Sequence, residues 1–316
     1  MVRMKYLPPA LGLAVFALLT PALPSPAHAQ TQALTLPLWP HGTPEPPRTT
    51  DPETDTTKPT DTFISGHRVV RLTNVTIPTL TVYPPHGQNT GAAVLVFPGG
   101  GYVRLVTDGE GTDACHWLNS VGITCILVKY RVPQPPGDSG HYPADPDDLE
   151  DAQQAMRLTR THATEWHVDP ARIGVIGFSA GAHLAVVLST HPGFQGASVP
   201  PSTIDARPNF QMILYPGWLN GPNGKVDASV APTSQVPPTF LVMAENDYTA
   251  HVENALIYFQ ALKDAKVPAE LHLFTQGGHG FGMRPTDLPI SHWGSLAETW
   301  LHTIHILGVP GPVGMP

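Results

Sequence analysis

Apolar runs alternate with segments of helical periodicity along most of this chain, from about His67 onward. The runs suit strands that are buried on both faces of a sheet, and they occupy Ala92–Phe97, Ile123–Tyr130, Arg172–Phe178, Phe210–Tyr215, Thr239–Ala244 and Ala269–Thr275. Helices are predicted between and after them, at Asp113–Ser120, Leu149–Trp166, Ala180–Thr190, His251–Ala265 and His292–Leu307. Strands that alternate with helices predict an α/β fold, with a mostly parallel central sheet and helices on both faces.

Two short segments ahead of these runs alternate apolar and polar residues. They are Arg68–Thr73 and Thr79–Tyr83. Alternation with period two is typical of half-buried strands. We expect a hairpin-like pair at the edge of the sheet.

The first residues have the pattern of a secretory signal peptide. Arg3 and Lys5 precede an apolar stretch, Ala10–Thr20, that is too short to span a bilayer. Ala27-His28-Ala29 fits the cleavage rule of small residues around a variable one. The sequence predicts a signal peptide over residues 1–29 and export to the periplasm or the medium, with an uncleaved membrane anchor as the alternative. Since no later stretch approaches a membrane span, none is expected after processing.

Two further regions follow the predicted cleavage site. Residues 30–62 are rich in Pro, Thr and Asp and have little periodicity, which predicts an extended N-terminal arm, with Trp39 as a contact to the surface. Residues 63–316 are expected to form the main α/β domain. A chain of 316 residues is long enough for one large domain of this kind.

The net charge bears on the kind of partner, and the cysteine content on possible disulfide bonding. The formal net charge is −8 and no long basic run is present, so nothing indicates a nucleic-acid partner. The chain has two cysteines, Cys115 in a predicted helix and Cys125 in the next strand. In an oxidising compartment they could form a disulfide. Two buried thiols are the alternative.

The strongest chemical signal is Gly177-Phe178-Ser179-Ala180-Gly181. It follows a predicted core strand and opens a predicted helix, the context in which G-x-S-x-G places a nucleophilic serine on a sharp turn. Small neighbours leave room for that turn. Ser179 is therefore the predicted nucleophile.

A serine nucleophile needs a base and an acid that orients the base. His279 lies in Gly277-Gly278-His279-Gly280, just after a late strand, and is the predicted base. Asp247 follows the preceding strand and is the predicted acid, with Glu245 as runner-up. Chain order then reads Ser, acid, His, as this architecture requires.

A glycine loop, Pro98-Gly99-Gly100-Gly101, follows an earlier core strand. Backbone N–H groups of Gly100, Gly101 and Ala180 are the predicted oxyanion hole. No Gly-Lys-Ser/Thr follows, so a phosphate loop is not indicated. The absence of His-Glu-x-x-His and Cys-x-x-Cys argues against a metal, and no cofactor is expected.

Together these segments resemble the α/β-hydrolase superfamily, and more narrowly secreted acetylxylan esterases, feruloyl-type esterases and hormone-sensitive-lipase-like esterases. The resemblance covers about Leu95 to Met283. It rests on Phe97 to Tyr102, Val128 to Arg131, Asp169 to Leu184, Asn246-Asp247 with His251 to Ala255, and Gly278 to Gly282. The lipase-like families usually have His before the three glycines, where this chain has Pro98.

The resemblance implies an α/β-hydrolase fold and acyl transfer through Ser179, with an acylated carbohydrate or a small ester as substrate. The leading hypothesis is a secreted esterase that deacetylates a plant polysaccharide such as xylan. Alternatives are a general short-chain carboxylesterase, an exported serine peptidase and a non-catalytic carbohydrate-binding protein. A peptidase of this fold would normally carry a large gating domain, and no insertion of that size is visible.

Overall fold

A mixed sheet is the centre of the computed structural model, which describes residue 1 and residues 33–61, 67–133, 147–193, 196, 198–199 and 201–308. Within those residues the strands are β1 (Leu34–Pro37), β2 (Thr54–Asp55), β3 (Arg71–Thr73), β4 (Thr79–Tyr83), β5 (Ala93–Phe97), β6 (Leu105–Val106), β7 (Thr124–Lys129), β8 (Ile173–Phe178), β9 (Gln211–Leu214), β10 (Thr239–Ala244) and β11 (Ala269–Phe274). The α-helices are α1 (Asp113–Ser120), α2 (Asp147–Thr161), α3 (Ala180–Thr190), α4 (Glu253–Asp264) and α5 (Trp293–Thr303). Apart from Met1, the predicted signal peptide lies outside the described residues.

The main sheet has the strand order β1-β4-β7-β5-β8-β9-β10-β11 among the described residues. The run from β7 to β11 is parallel, while β4 is antiparallel to both of its neighbours. Every residue of β5, β8, β9 and β10 is buried, as continuous Val, Ile, Leu and Phe runs require. The predicted α/β architecture with a mostly parallel sheet is confirmed.

Helices cover both faces of this sheet. On β8, a side chain at Gly177 would point into α3, whereas the next residue, Phe178, contacts Trp293 of α5. Because successive strand residues point to opposite faces, α3 and α5 lie on opposite sides. In the described part of the chain no helix is both long enough and apolar enough to cross a membrane.

The predicted hairpin of the two short alternating segments is wrong. Strand β3 belongs to a second, small sheet with the order β2-β3-β6, whereas β4 pairs with β1 and β7 in the main sheet. Alternation predicted each strand correctly. It could not predict the partners, since Leu80 of β4 faces Leu36 and Val128, which are far away in the sequence.

Residues 33–61, within the predicted arm, contribute strands to both sheets. β1 forms one edge of the main sheet and β2 one edge of the small sheet. Leu38 is fully buried, and Trp39 donates from Nε1 to Asp151 Oδ1 of α2 at 2.7 Å. Trp39 therefore does contact the domain, through a hydrogen bond to a buried carboxylate.

Cys115 and Cys125 form a disulfide. It joins α1 to the start of β7, and both residues are fully buried. The sequence left open a disulfide or two buried thiols, and the structure contains the disulfide.

Candidate active site

Parallel pairing of β5 with β8 brings two loops together at the carboxyl edge of the sheet. Phe97 lies opposite Gly177, so the glycine loop after β5 and the turn after β8 begin side by side. Ser179 has φ of 53° and ψ of −116° at the turn between β8 and α3, and its N–H donates to Leu214 O at 3.0 Å. A non-glycine residue is strained in this conformation.

The glycines at either end of the motif are required by close backbone packing. A Cβ on Gly177 would lie 2.1 Å from Gly181 O, and one on Gly181 would lie 2.0 Å from Phe97 O. Neither position can hold a side chain without moving backbone. The motif therefore fixes how α3 leaves the sheet, and with it the place of Ser179.

The three predicted catalytic side chains form one hydrogen-bonded chain. Ser179 Oγ lies 2.9 Å from His279 Nε2, and His279 Nδ1 lies 2.7 Å from Asp247 Oδ2. Glu245, the runner-up acid, is exposed. A hydroxyl, an imidazole and a carboxylate in this order can move a proton away from the hydroxyl.

Asp247 is 1% exposed and is held as a carboxylate by its hydrogen bonds. Its Oδ1 accepts from the N–H groups of Thr249 and Ala250, each at 2.9 Å. Burial works to raise the pKa of Asp247, but the bond to His279 and these backbone amides outweigh it, and the pKa lies below its ordinary value. An ionised acid here stabilises a protonated imidazole.

The loop that carries His279 is anchored by Asn246, a residue to which the sequence analysis assigned no role. Asn246 Oδ1 accepts from Gly277 N–H at 3.0 Å and from Gly278 N–H at 2.9 Å. One side chain thus fixes the residues just before the imidazole. In the sequence, only the position of Asn246 next to Asp247 could have indicated this role.

The predicted oxyanion residues lie around Ser179. Gly100, Gly101, Ser179 and His279 line one cleft, and Ala180 is the first residue of α3. Because the first N–H groups of a helix have no partner within it, the Ala180 N–H is available to a ligand. Gly101 has open space around its Cα, where a Cβ would meet nothing within 4 Å.

The residue after the glycines is fixed to α3. Tyr102 OH lies 2.8 Å from His183 Nδ1, and both side chains are buried. Burial lowers the pKa of His183 to about 3, so this imidazole is neutral. This bond attaches the end of the glycine loop to α3, and neither of its two side chains lines the cleft.

The cleft has a volume of about 1040 Å³ and is open to solvent. Trp218 is half-buried in its wall, against Tyr102 at a ring distance of 5.6 Å. The rim is polar and carries charges of both signs, from Arg71, Arg104, Asp227 and Glu253. Trp293 is only 1% exposed and belongs to the core.

Two further residues near the site were also missed. Glu110 is buried between the glycine loop and Tyr215, and the Tyr215 ring packs edge-on against the His279 ring at 5.1 Å. Neither stands in a motif, and each acts across a long sequence separation. Across the described residues, no group of three or more His, Cys, Asp or Glu side chains is arranged to hold a metal ion.

Two family models match this chain. The prolyl oligopeptidase family matches residues 145–292, and the BD-FAE family matches residues 80–206. Both matches include Ser179. The first also includes Asp247 and His279, and the second includes the glycine loop.

A curated acetylxylan esterase from Xylanibacter ruminicola is 31% identical over 61% of this chain and 42% of its own length. The chain spans less than half the length of the first curated relatives it matches. The solved acetyl ester-xyloside bifunctional hydrolase from Caldicellulosiruptor lactoaceticus is 31% identical, with a TM-score of 0.67 over 87% of this chain and 97% of that one. The α/β hydrolase MGS-M1, from a deep-sea metagenome library, is 27% identical, with a TM-score of 0.56 over 72% of this chain and 92% of that one. The fold expected from the sequence, that of the α/β-hydrolases, is confirmed.

Proposed function

This chain belongs to the α/β-hydrolase superfamily, and from that premise we propose that it is an exported serine ester hydrolase that removes acetyl groups from a plant polysaccharide such as xylan. The observation that carries the proposal is the hydrogen-bonded chain from Ser179 through His279 to Asp247. It lies beside a glycine loop in an open cleft. That combination suits acyl transfer from an ester.

The reaction follows from the geometry in two steps. His279 Nε2 takes the Ser179 proton as Oγ attacks the ester carbonyl, and Asp247 stabilises the imidazolium that forms. The N–H groups of Gly100, Gly101 and Ala180 bind the oxyanion. His279 then protonates the departing alcohol. In the second step His279 takes a proton from water, and the water oxygen attacks the acyl-enzyme. The carboxylic acid is released and Ser179 is restored.

The polysaccharide substrate is supported by the relatives and by the cleft. One relative is named an acetylxylan esterase and one solved structure an acetyl ester-xyloside hydrolase. An open cleft with an aromatic side chain in its wall and a polar rim suits a sugar, which has an apolar face and hydroxyl edges. Trp218 is the aromatic residue in that position.

Export is supported by two independent features. The N-terminal residues 1–29 have the signal-peptide pattern. The Cys115–Cys125 disulfide suits an oxidising compartment. Both features favour the periplasm or the medium over a reducing cytosol.

The proposal is tested by incubating the mature protein with acetylated xylan and with p-nitrophenyl esters of increasing acyl length. Ser179→Ala is the inactive variant, and Ser120→Ala, an exposed position at the end of α1, is the matched control. We expect acetate release from xylan by the wild type and by Ser120→Ala, and its loss in Ser179→Ala. Cleavage of small esters alone would favour a general carboxylesterase. A proline-containing peptide assayed beside these substrates tests the peptidase alternative, which cleavage of the peptide without cleavage of the esters would favour.

A further inference from the structure

A buried carboxylate next to the site links two loops that the proposed reaction requires. Glu110 is 5% exposed and lies in a short π-helical segment, Asp108–Thr112. Its Oε2 accepts from Gly99 N–H at 2.7 Å, and its Oε1 accepts from Tyr215 OH at 2.9 Å. Burying a carboxylate is costly, so its retention beside the cleft calls for a reason.

Burial raises the pKa of Glu110, and the hydrogen bonds from Tyr215 and Gly99 oppose that rise. Gly282 N–H donates to Tyr215 OH at 3.2 Å, so the phenol uses its own proton to bond Glu110. Glu110 therefore faces two donors, Gly99 N–H and Tyr215 O–H. A carboxylate accepts from both, whereas the amide of a glutamine would turn an NH₂ group toward one of them.

These bonds connect the two halves of the site. Gly99 begins the glycine loop, and Gly282 ends the loop that carries His279. A Cβ at position 99 would lie 2.6 Å from Glu110 Oε2, so Gly99 and the carboxylate are fitted to each other. Glu110 thus determines how Gly100 and Gly101 are presented relative to His279.

The segment that carries Glu110 is itself held to the histidine loop. Arg284, 7% exposed, donates to Asp108 at 2.8 Å and to Asp113 at 3.2 Å, on either side of Glu110. Met283 N–H donates to Gly109 O at 3.4 Å. These bonds hold the segment that carries Glu110 against the histidine loop.

We propose that Glu110 is a positioning residue that aligns the oxyanion loop with the His279 loop through Gly99 and Tyr215. The inference rests on the proposed ester hydrolysis. Its consequence lies in the transition state, because misplaced oxyanion donors weaken binding of the developing charge more than binding of the neutral ester. Loss of Glu110 is therefore expected to lower kcat and to leave KM nearly unchanged.

The test compares Glu110→Gln, Tyr215→Phe and Glu150→Gln with the wild type, using p-nitrophenyl acetate. Glu150 is the matched control, a buried glutamate on α2 that does not line the cleft. We expect kcat to fall by at least about tenfold in Glu110→Gln with KM within about threefold, a fraction of the ~10²–10³ cost of losing an oxyanion donor. Tyr215→Phe is expected to lose less kcat, also at nearly constant KM, because Gly99 keeps its acceptor. Glu150→Gln is expected to keep the wild-type kcat.

Thermal melts and inhibition by a trifluoromethyl ketone complete the test, since such a ketone forms an oxyanion on the serine. Weaker inhibition of Glu110→Gln, in step with kcat, supports the inference. A folded Glu110→Gln variant with kcat within about twofold of the wild type overturns it. If Glu110→Gln does not fold, a Tyr215→Phe variant with wild-type kcat overturns it equally. Failure of the wild type to hydrolyse the ester instead removes the proposed function, and this inference with it.

Discussion

At the scale of single residues, the site depends on a few polar atoms, each of which has a hydrogen-bond partner. Asp247 uses Oδ2 for His279 and Oδ1 for two backbone amides, which leaves one orientation for the imidazole. The hydrogen on His279 Nδ1 is then fixed by the carboxylate, and Nε2 faces Ser179 as an acceptor. The tautomer of His279 and the orientation of its ring are thus set by Asp247.

Replacing Asp247 by Asn should preserve the shape of the site and remove its chemistry. An amide NH₂ can turn toward Nδ1 and stabilise the tautomer with its hydrogen on Nε2, in which His279 cannot accept the serine proton. We expect kcat for p-nitrophenyl acetate to fall by ~10³–10⁴ with little change in the melting temperature at neutral pH. Steady-state kinetics and a thermal melt check both parts. Wild-type kcat in Asp247→Asn would show that another group orients the base.

The sequence predicted those residues of the site that stand in a motif or follow chain order. Ser179, Asp247, His279 and the glycine loop each come at the end of a recognisable strand. Asn246 and Tyr215 also lie at or just after strand ends, but their roles, like that of Glu110, arise from contacts made only after folding. The bond from Tyr215 to Glu110, for example, joins residues 105 positions apart.

At the scale of elements, hydrophobic pattern predicted the central strands and left the edges undetermined. β5, β8 and β10 were evident because both of their faces are buried. β2 and β6 have two residues each and no periodicity to detect. Pairing is set by long-range contacts, which explains why β3 and β4 were correct as strands and wrong as a pair.

The disulfide is an element-scale constraint with a measurable effect. It closes a loop with a sequence separation of 10 between α1 and β7. A loop of that size stabilises a fold by about 2–3 kcal/mol in the chain-entropy model. We expect Cys115→Ala/Cys125→Ala to lower the free energy of unfolding in urea by that amount and to leave kcat within about twofold. Equal unfolding curves for the two proteins would contradict the prediction.

Helix α2 begins with a cluster of buried acids around Arg131. Glu150 Oε2 lies 3.3 Å and Asp151 Oδ1 2.9 Å from Arg131 Nη2. Asp147 Oδ2 lies 3.7 Å from Nη1 of the same guanidinium group. Burial, opposed by Arg131 and reinforced by the neighbouring carboxylates, raises the pKa of Glu150 from 4.5 to about 7. The cluster should therefore make stability depend on pH.

The sign of that dependence follows from the direction of the shift. An unfolded chain ionises Glu150 near pH 4.5, whereas the folded chain keeps its proton until about pH 7. The contribution to stability is full below pH 4.5 and is lost as pH rises to about 7. Urea unfolding at a series of pH values should show Glu150→Gln losing less stability than the wild type across this window. Parallel curves would mean that Glu150 is already ionised in the fold.

At the scale of the whole molecule, residues 33–61 are integrated into the fold. They supply an edge strand to each sheet, a fully buried Leu38 and two bonds to the acids of α2, from Trp39 to Asp151 and from Arg48 to Asp147. The small sheet to which β2 belongs also reaches the cleft, because Arg71 of β3 and Val106 of β6 line it. This N-terminal segment is thus connected both to the core and to one wall of the site.

Removing the N-terminal segment should therefore cost both stability and selectivity. A mature protein that begins at Lys58 lacks β1 and β2, exposes the edge of β4 and leaves Asp147 and Asp151 without Arg48 and Trp39. We expect a lower melting temperature, and a larger loss of activity on acetylated xylan than on p-nitrophenyl acetate, because a polymer contacts more of the cleft wall.

The milder variant Trp39→Phe separates the two effects. It keeps one aromatic ring but removes the hydrogen bond to Asp151 and part of the packing of the indole against the core, for an expected loss of at least about 1.5–3 kcal/mol in the free energy of unfolding. Activity on both substrates should remain at the wild-type level, since Trp39 does not line the cleft. If the truncated protein instead melts at the wild-type temperature and keeps the wild-type ratio of the two activities, this segment is an appendage and the cleft is complete without it.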